Sequence, residues 1–322
     1  MNVKTITAAA LAATSALAVA GLATSQLKTR SMKRRSPAPG RMLEVNGTRL
    51  HVMQQGSGPD VLLIHGAAMA APEMMLALGD ALPGYRLTAI DRPGHGWSDK
   101  RRRPSIHDQA ELFHAASVEL GLKSPVVVGH SLGGAVALAY GQAFAEDTSG
   151  VVAIAPLAFP GWGPAHLGRA VRGAPVLGPV LSNTTLALSD PAMLRAVLPL
   201  IFSPQKVPPT LKEAFDMDIL TRPSAMVADG ADFTRASLDL SKLSRGYADF
   251  PVPVHVVVGG KDHILKPSRQ AERLAAAIPL AKLTRREGLG HMVHHFAPDA
   301  VRIAIVDVRT RSLEASAPAM AA

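Results

Sequence analysis

Ser131 stands in the run Val126-Val127-Val128-Gly129-His130-Ser131-Leu132-Gly133-Gly134-Ala135. Three β-branched residues end in a turn flanked by glycines, and the turn opens into the helix-forming run Ala135-Val136-Ala137-Leu138-Ala139-Tyr140. A strand that turns so sharply into a helix strains the residue at its apex and needs small neighbours. Gly129 and Gly133 supply them, two residues before and two after the serine. Such a G-x-S-x-G turn lifts the hydroxyl clear of a sheet. The helix N-terminus behind it offers N–H groups and a positive dipole end to a developing oxyanion. The chemistry this suits is acyl transfer, which also needs a base, a group that orients the base, and oxyanion donors. His291 follows Gly288-Leu289-Gly290 near the end of the chain, with His294 and His295 close behind it. Asp262 follows Gly259-Gly260-Lys261, and Asp229, Asp232, Asp239 and Asp249 are further carboxylates. With no Cys in the chain, a thiol nucleophile, a thiolate metal site and a disulfide are all excluded.

The elements that must position these groups read as alternating strands and helices. Asn46-Gly47 joins two strand-like runs, 42–45 and 48–53, as a hairpin. Asp60–Ile64, Arg86–Ile90, Val126–Val128, Gly150–Pro156 and Val254–Gly260 are short apolar runs, as expected of strands covered on both faces. Helices are expected at 72–82, 106–120, 135–140, 267–278 and 298–311, with a last strand at 281–286. Between Leu157 and Phe250 the pattern changes. Ten prolines interrupt short apolar helical pieces and no strand run is visible, so a helical insertion is expected. Strands alternating with helices imply a parallel sheet, whose active residues sit at the carboxyl ends of strands.

The net charge of +9 is a local feature. Residues 1–41 hold seven basic residues and no acidic one, and removing those seven from 34 leaves 27 basic against 25 acidic residues in the rest. A nucleic-acid-binding domain is therefore not expected, and Arg101-Arg102-Arg103 reads as a solvated loop. Thr5–Leu27 carries no charge and is followed by five basic residues between Lys28 and Arg35. The segment 1–27 reads as a signal peptide, with Ala18-Val19-Ala20 as a cleavage site, or as a membrane anchor. The expectation is a membrane-associated or exported protein, its contact with a membrane running through residues 5–27. Residues 28–41 read as a basic, Pro-containing linker and 312–322 as a frayed tail. The oligomeric state has no signature.

Five features together resemble the α/β-hydrolase superfamily: His65-Gly66, Asp91-Arg92-Pro93-Gly94-His95-Gly96-Trp97-Ser98, the elbow at Ser131, Asp262 after a late strand, and Gly290-His291. The resemblance covers about residues 42–311 and is weakest in 157–250. It implies the α/β-hydrolase fold: a mostly parallel eight-stranded sheet with helices on both faces, a core of 42–156 and 251–311, and a helical cap of 157–250. It implies a triad of Ser131, Asp262 and His291, with His294 and His295 as loop or helix-start residues, one of them a candidate for the cavity mouth. The oxyanion donors would be the backbone N–H groups of Ala67 and Leu132, His65 would shape that loop, and the Asp91 motif would be scaffolding. Met69, Leu157, Phe159 and Trp162 are candidate walls of an apolar substrate pocket. No cofactor and no metal are implied.

Among the activities of that superfamily, a serine at 131 disfavours epoxide hydrolases and haloalkane dehalogenases, which attack with a carboxylate. The expected reaction is hydrolysis of a carboxylester, thioester or lactone of a small apolar substrate through an acyl-enzyme. The alternatives are a C–C bond hydrolase, a haloperoxidase-like perhydrolase, and a ligand-binding or signal-perception module with little turnover.

Overall fold

The structure, a computed structural model, describes residues 34–161, 171–184, 186–214 and 217–316, together with 16, 19–23, 25–27 and 29–32. Eight strands form one sheet: β1 (Arg41–Val45), β2 (Thr48–Gln55), β3 (Asp60–Ile64), β4 (Arg86–Ile90), β5 (Val126–His130), β6 (Gly150–Ile154), β7 (Val254–Gly259) and β8 (Ala281–Arg286). Their order is β1-β2-β4-β3-β5-β6-β7-β8. The hairpin β1–β2 and its pairing with β4 are antiparallel, and every other pair is parallel.

Every residue of β3, β5, β6 and β7 is buried. Alternate side chains feed opposite faces, as the two-residue period of a strand requires. Leu62, Ile64 and Val127 enter one core with α2 (Ile106–Glu119) and α3 (Leu132–Ala143). Val61, Leu63, Val126 and Val128 enter the other with α1 (Ala71–Leu78). The edge strand β8 is half-exposed and carries Lys282, Arg285 and Arg286, charges that oppose edge-to-edge pairing. Ser105 and Asp108 form a reciprocal capping box that starts α2.

Between β6 and β7 the described elements are helical: α4 (Leu177–Asn183), α5 (Leu186–Phe202), α6 (Pro209–Ala214), a 3-10 turn at Met217–Thr221 and α7 (Pro223–Leu243). A third apolar cluster sits beneath this cap and joins Leu194, Leu198 and Phe202 of α5 to Met69, Trp97 and Met292 of the core.

The structure corrects several expected boundaries. The helix expected over 267–278 is a 3-10 turn at Pro267–Arg269 followed by α8 (Ala271–Ala277). Gln270 separates the two at φ −123°, ψ −83°, and its side chain clamps the chain at 158–159: Oε1 accepts from Ala158 N (2.8 Å) and Phe159 N (2.9 Å), and Nε2 donates to Phe159 O. After β8 come α9 (Val293–Phe296) and α10 (Pro298–Ser316), so the chain is helical to Ser316 where a tail from 312 was expected, and 317–322 lie outside the described residues. The described positions of 29–35 are helical, not linker, and β1 begins at Arg41. Most of segment 1–27 lies outside the described residues, and among the described residues no helix is long and apolar enough to cross a membrane.

Asp307 fastens α10 to the edge of the sheet. It accepts from Lys282 Nζ (2.6 Å), His255 Nδ1 (2.9 Å) and Arg311 Nη2 (2.6 Å). Burial pushes its carboxyl up, but the bonds from Lys282, His255 and Arg311 outweigh burial and hold it at about 2. A depressed folded value stabilises the protein above the unfolded value and ceases to do so as pH falls through the folded one. Asp307→Asn is therefore expected to cost on the order of 1 kcal/mol near neutral pH, after solvent screening. Its difference from wild type should shrink between about pH 4 and pH 2. Denaturant titrations across that range check this, and a pH-independent difference would contradict it.

Candidate active site

The elbow is built by backbone. The last ladder partners of β5 on β6 are Gly129 with Ala153 and His130 with Ile154, after which Ser131 N donates to Ile154 O at 2.9 Å. Ser131 then takes φ 54°, ψ −116°, a region that costs a non-glycine residue about 1–3 kcal/mol. The carbonyl of Ser131 accepts from Gly134 N and Leu157 N, which locks the turn to α3 and to the end of β6. The glycines are required by contact. A Cβ on Gly133 would overlap the carbonyl oxygens of Ile64 and His65, and one on Gly129 would overlap that of Gly133.

Around this turn lies a cavity of about 580 Å³. Ser131 and His291 both line it, as do Ala67, Leu132, Met69 and Leu157. Its further walls come from the cap and are mainly apolar: Leu194, Val197 and Ile201 of α5, with Leu220, Met226 and Phe233. Phe159, expected on the wall, is not among the lining residues. It is buried edge-on against Tyr247, at 5.4 Å between ring centroids, with the Arg273 guanidinium 3.9 Å over its face. The Gln270 clamp on the backbone of 158–159 turns it into the core. Trp162 lies outside the described residues.

His291 Nδ1 is 2.7 Å from Asp262 Oδ2, and both side chains are buried. The other carboxylate oxygen accepts from Ile264 N (2.8 Å) and Leu265 N (2.9 Å), so Asp262 is fixed at both oxygens. A carboxylate on Nδ1 places the imidazole proton there and leaves Nε2 with its lone pair, the form a general base requires. Asp229, Asp232 and Asp239 lie on α7, and Asp249 precedes β7. Asp262 is the one of these candidates that contacts His291.

The loop after β3 presses on the serine: a Cβ on Gly66 would stand 3.2 Å from Ser131 Cβ. Leu132 opens α3, where an N–H has no partner within its own helix. His65 shapes the loop. Its Nε2 accepts from Arg92 N at 2.9 Å, so Nδ1 carries the proton and donates to Gly66 O at 2.8 Å. Burial and the neighbouring Arg92 charge push this imidazole down to about 4, which keeps it neutral. Asp91 supports the same loop, as its Oδ1 accepts from Ala71 N at the start of α1 (2.6 Å) and its Oδ2 from Trp97 N (2.8 Å). A Cβ on Gly96 would overlap that carboxylate, which explains the glycine.

Two arrangements of buried side chains carry no sequence signal that joins their members: Arg92 with Asp232, and Glu73 with His294 and His295. Arg92 is wholly buried. Its Nη1 donates to Asp232 Oδ2 on α7 at 2.6 Å, while Nη2 lies 3.4 Å from Gly66 O. It thus ties the cap to the loop beside Ser131. The second lies behind the site. His294 and His295, expected as loop or helix-start residues with one at the cavity mouth, stand in the short helix α9; neither lines the cavity, and both Nε2 atoms meet Glu73 Oε1 at 2.7 and 2.8 Å. Burial pushes the Glu73 carboxyl up, but the His294 charge and the two hydrogen bonds outweigh it and hold it well below its usual range. The three donor atoms lie within 4.8 Å of one another, a set that could also face a metal ion. Two N–H groups on one carboxylate oxygen make a hydrogen-bonded brace. His130 is sandwiched between this brace and the site, its ring 4.5 Å from His294 and 4.7 Å from His291, with Nε2 3.2 Å from His291 O.

A parallel sheet with a strained serine at the end of its central strand, a histidine–carboxylate pair beside it and a helical cap above defines a hydrolase fold. The sequence profile of the alpha/beta hydrolase family matches residues 61–304, and the chain belongs to that family. An uncharacterised protein of Mycobacterium tuberculosis is 28% identical over 296 residues, covering 85% of this chain and 81% of the relative. Lipase 1 of Psychrobacter immobilis is 24% identical over 253 residues, covering 77% and 76%. Among solved structures, an enol-lactonase from Burkholderia xenovorans (TM-score 0.68, 22% identity) and an esterase from Exiguobacterium antarcticum (0.68, 21%) each match 84% of this chain over their full length. Those structural likenesses carry the fold.

Removing the Glu73 carboxylate leaves two buried imidazoles without their acceptor. Glu73→Ala is expected to cost about 3–5 kcal/mol of stability. Chemical denaturation measures it, and a loss under about 1 kcal/mol would show that the brace carries no structural weight.

Proposed function

We propose that the protein is a serine hydrolase that cleaves an ester-like bond of a small apolar substrate through an acyl-enzyme on Ser131. The observation that carries this reading is the His291–Asp262 pair, with His291 and Ser131 both lining one mainly apolar cavity. His291 Nε2 takes the proton of Ser131 Oγ as the oxygen attacks the substrate carbonyl. The N–H groups of Ala67 and Leu132 receive the oxyanion, and Asp262 stabilises the imidazolium that forms. His291 then gives its proton to the leaving alcohol. A water deprotonated by His291 releases the acid and regenerates the serine. The lipase among the relatives and the lactonase and esterase among the structures act on ester-type bonds by their names, in keeping with this reading.

The wild-type protein is expected to take up a fluorophosphonate probe on Ser131. Ser131→Ala and His291→Ala should take up none, as read by intact-protein mass. Asp262→Asn, with the imidazole in the wrong tautomer, should lower kcat by about 10⁴. A folded wild-type protein that excludes even a small probe would overturn the reading and leave a ligand-binding module. The apolar walls set a second expectation. Along a series of p-nitrophenyl esters kcat/KM should rise about fourfold per added CH₂, the equivalent of about 0.8 kcal/mol, until the cavity is full. A flat series would remove the apolar cavity from substrate recognition.

A further inference from the structure

The described positions between 16 and 35 are helical, and this segment lies on the cap with its small face inward. Gly21 meets the end of α4, where a Cβ would stand 3.0 Å from Thr184 Cα. Ser25 is buried, and Met32 enters the cap cluster with Leu194 and Leu198. Positions 21, 25 and 32 follow spacings of four and seven, one face of a helix. Three larger apolar residues are turned away from the protein, in contrast to Met32: Val19, Leu22 and Leu27 are 67%, 43% and 64% exposed. A helix resting on a globular protein in water does the opposite.

Two neighbouring elements extend that surface. Leu177 and Val180 on α4, and Val176 just before it, are exposed. On α5, which packs on α4, Met193 and Leu200 are exposed and also line the cavity. The apolar surface therefore reaches the cavity's own rim. Arg30 and Arg34, one and two turns beyond Leu27, are exposed, and residues 1–41 contain no acidic side chain to offset them. An outward apolar face that ends in basic residues is complementary to a lipid surface with anionic headgroups.

We propose that the described helical positions between 16 and 35, together with α4, lie on an anionic lipid surface, with the cavity rim at Met193 and Leu200 beside them, so that the substrates are acyl amphiphiles drawn from the lipid phase. The substrate class rests on the serine-hydrolase reading, whereas the lipid contact does not. The free-standing alternative, a second copy of the chain on the same apolar face, would need no anionic charge.

Flotation of the full chain with lipid vesicles tests this, with Ser131→Ala so that the vesicles stay intact. Binding to phosphatidylcholine vesicles containing phosphatidylglycerol is expected to exceed binding to phosphatidylcholine alone by about tenfold or more, and to fall with added salt. Leu22→Ser with Leu27→Ser should weaken it by about tenfold or more. Arg30→Gln with Arg34→Gln should weaken it by about tenfold and remove the salt dependence. On the Ser131 background, turnover of a soluble short-chain ester should be unchanged in both double variants, while turnover of a long-chain ester held in vesicles falls with binding. Absence of flotation, flotation unaffected by the substitutions, N-terminal sequencing that shows the chain to begin beyond Leu27, or a lipid-free dimer dissolved by the leucine substitutions would each overturn the proposal. Flotation by a protein that fluorophosphonate does not label would retain the lipid contact and remove the hydrolase reading alone.

Discussion

The backbone of Ser131 is the constraint on which the rest of the molecule depends. A residue held at φ 54°, ψ −116° survives only if its surroundings leave it no alternative. Those surroundings are the deepest parts of the protein. β5 is buried end to end between β3 and β6, and α3 is buried through its first ten residues. The ladder bond from Ser131 N to Ile154 O fixes the entry to the turn, and the bonds from Gly134 N and Leu157 N to the serine carbonyl fix its exit. Burying valine side chains in β5 and β6 contributes about 1.5–3 kcal/mol each, enough to sustain the strain at the apex. Ala68 and Ala155, the other non-glycine residues near the site with positive φ, lie on the two loops that face the serine.

The second layer controls where protons sit. His65 accepts one backbone N–H and donates to one carbonyl, which leaves it a single neutral form. His130 is held well below its usual value by burial and by the neighbouring His294 and His291, so it adds no charge beside the serine. Asp262 is bonded at both oxygens and Glu73 gathers two imidazoles on one. Of the described histidines around Ser131, only His291 combines a carboxylate on Nδ1 with a place on the cavity wall beside the serine.

How much of this could be read in the sequence follows from where each interaction lies along the chain. Strands β3, β5, β6 and β7 are continuous apolar runs because both faces are covered, and such runs stand out. The elbow is legible because its steric demands fall on consecutive residues, so Gly129, Ser131 and Gly133 announce it together. Asp262 and His291 could be placed by their position after late strands. Glu73 could not, since it is one acid on a short helix whose partners lie 221 and 222 residues away. Arg92 reads as part of a turn motif, and nothing near it points to Asp232, 140 residues on. Phe159 has the composition of a pocket wall, but a distant glutamine decides which way its backbone turns. Helix limits were least legible. The helix expected through Gln270 starts only at Ala271, and α10 runs five residues past Arg311 over a short polar stretch with one charged residue, Glu314.

The Arg92–Asp232 pair links the cap to the loop after β3. Arg92 holds α7 with one end of its guanidinium and reaches the Gly66 carbonyl with the other. Lifting α7 would strand two buried charges and loosen the loop in the same movement, a cost of several kcal/mol. The Arg172–Asp190 pair, by contrast, lies wholly within the cap and can travel with it. α5 is tied down separately, through the apolar cluster that joins Leu194, Leu198 and Phe202 to Met69, Trp97 and Met292. The cap is therefore held to the core at two places, once by buried charge at α7 and once by apolar contact at α5.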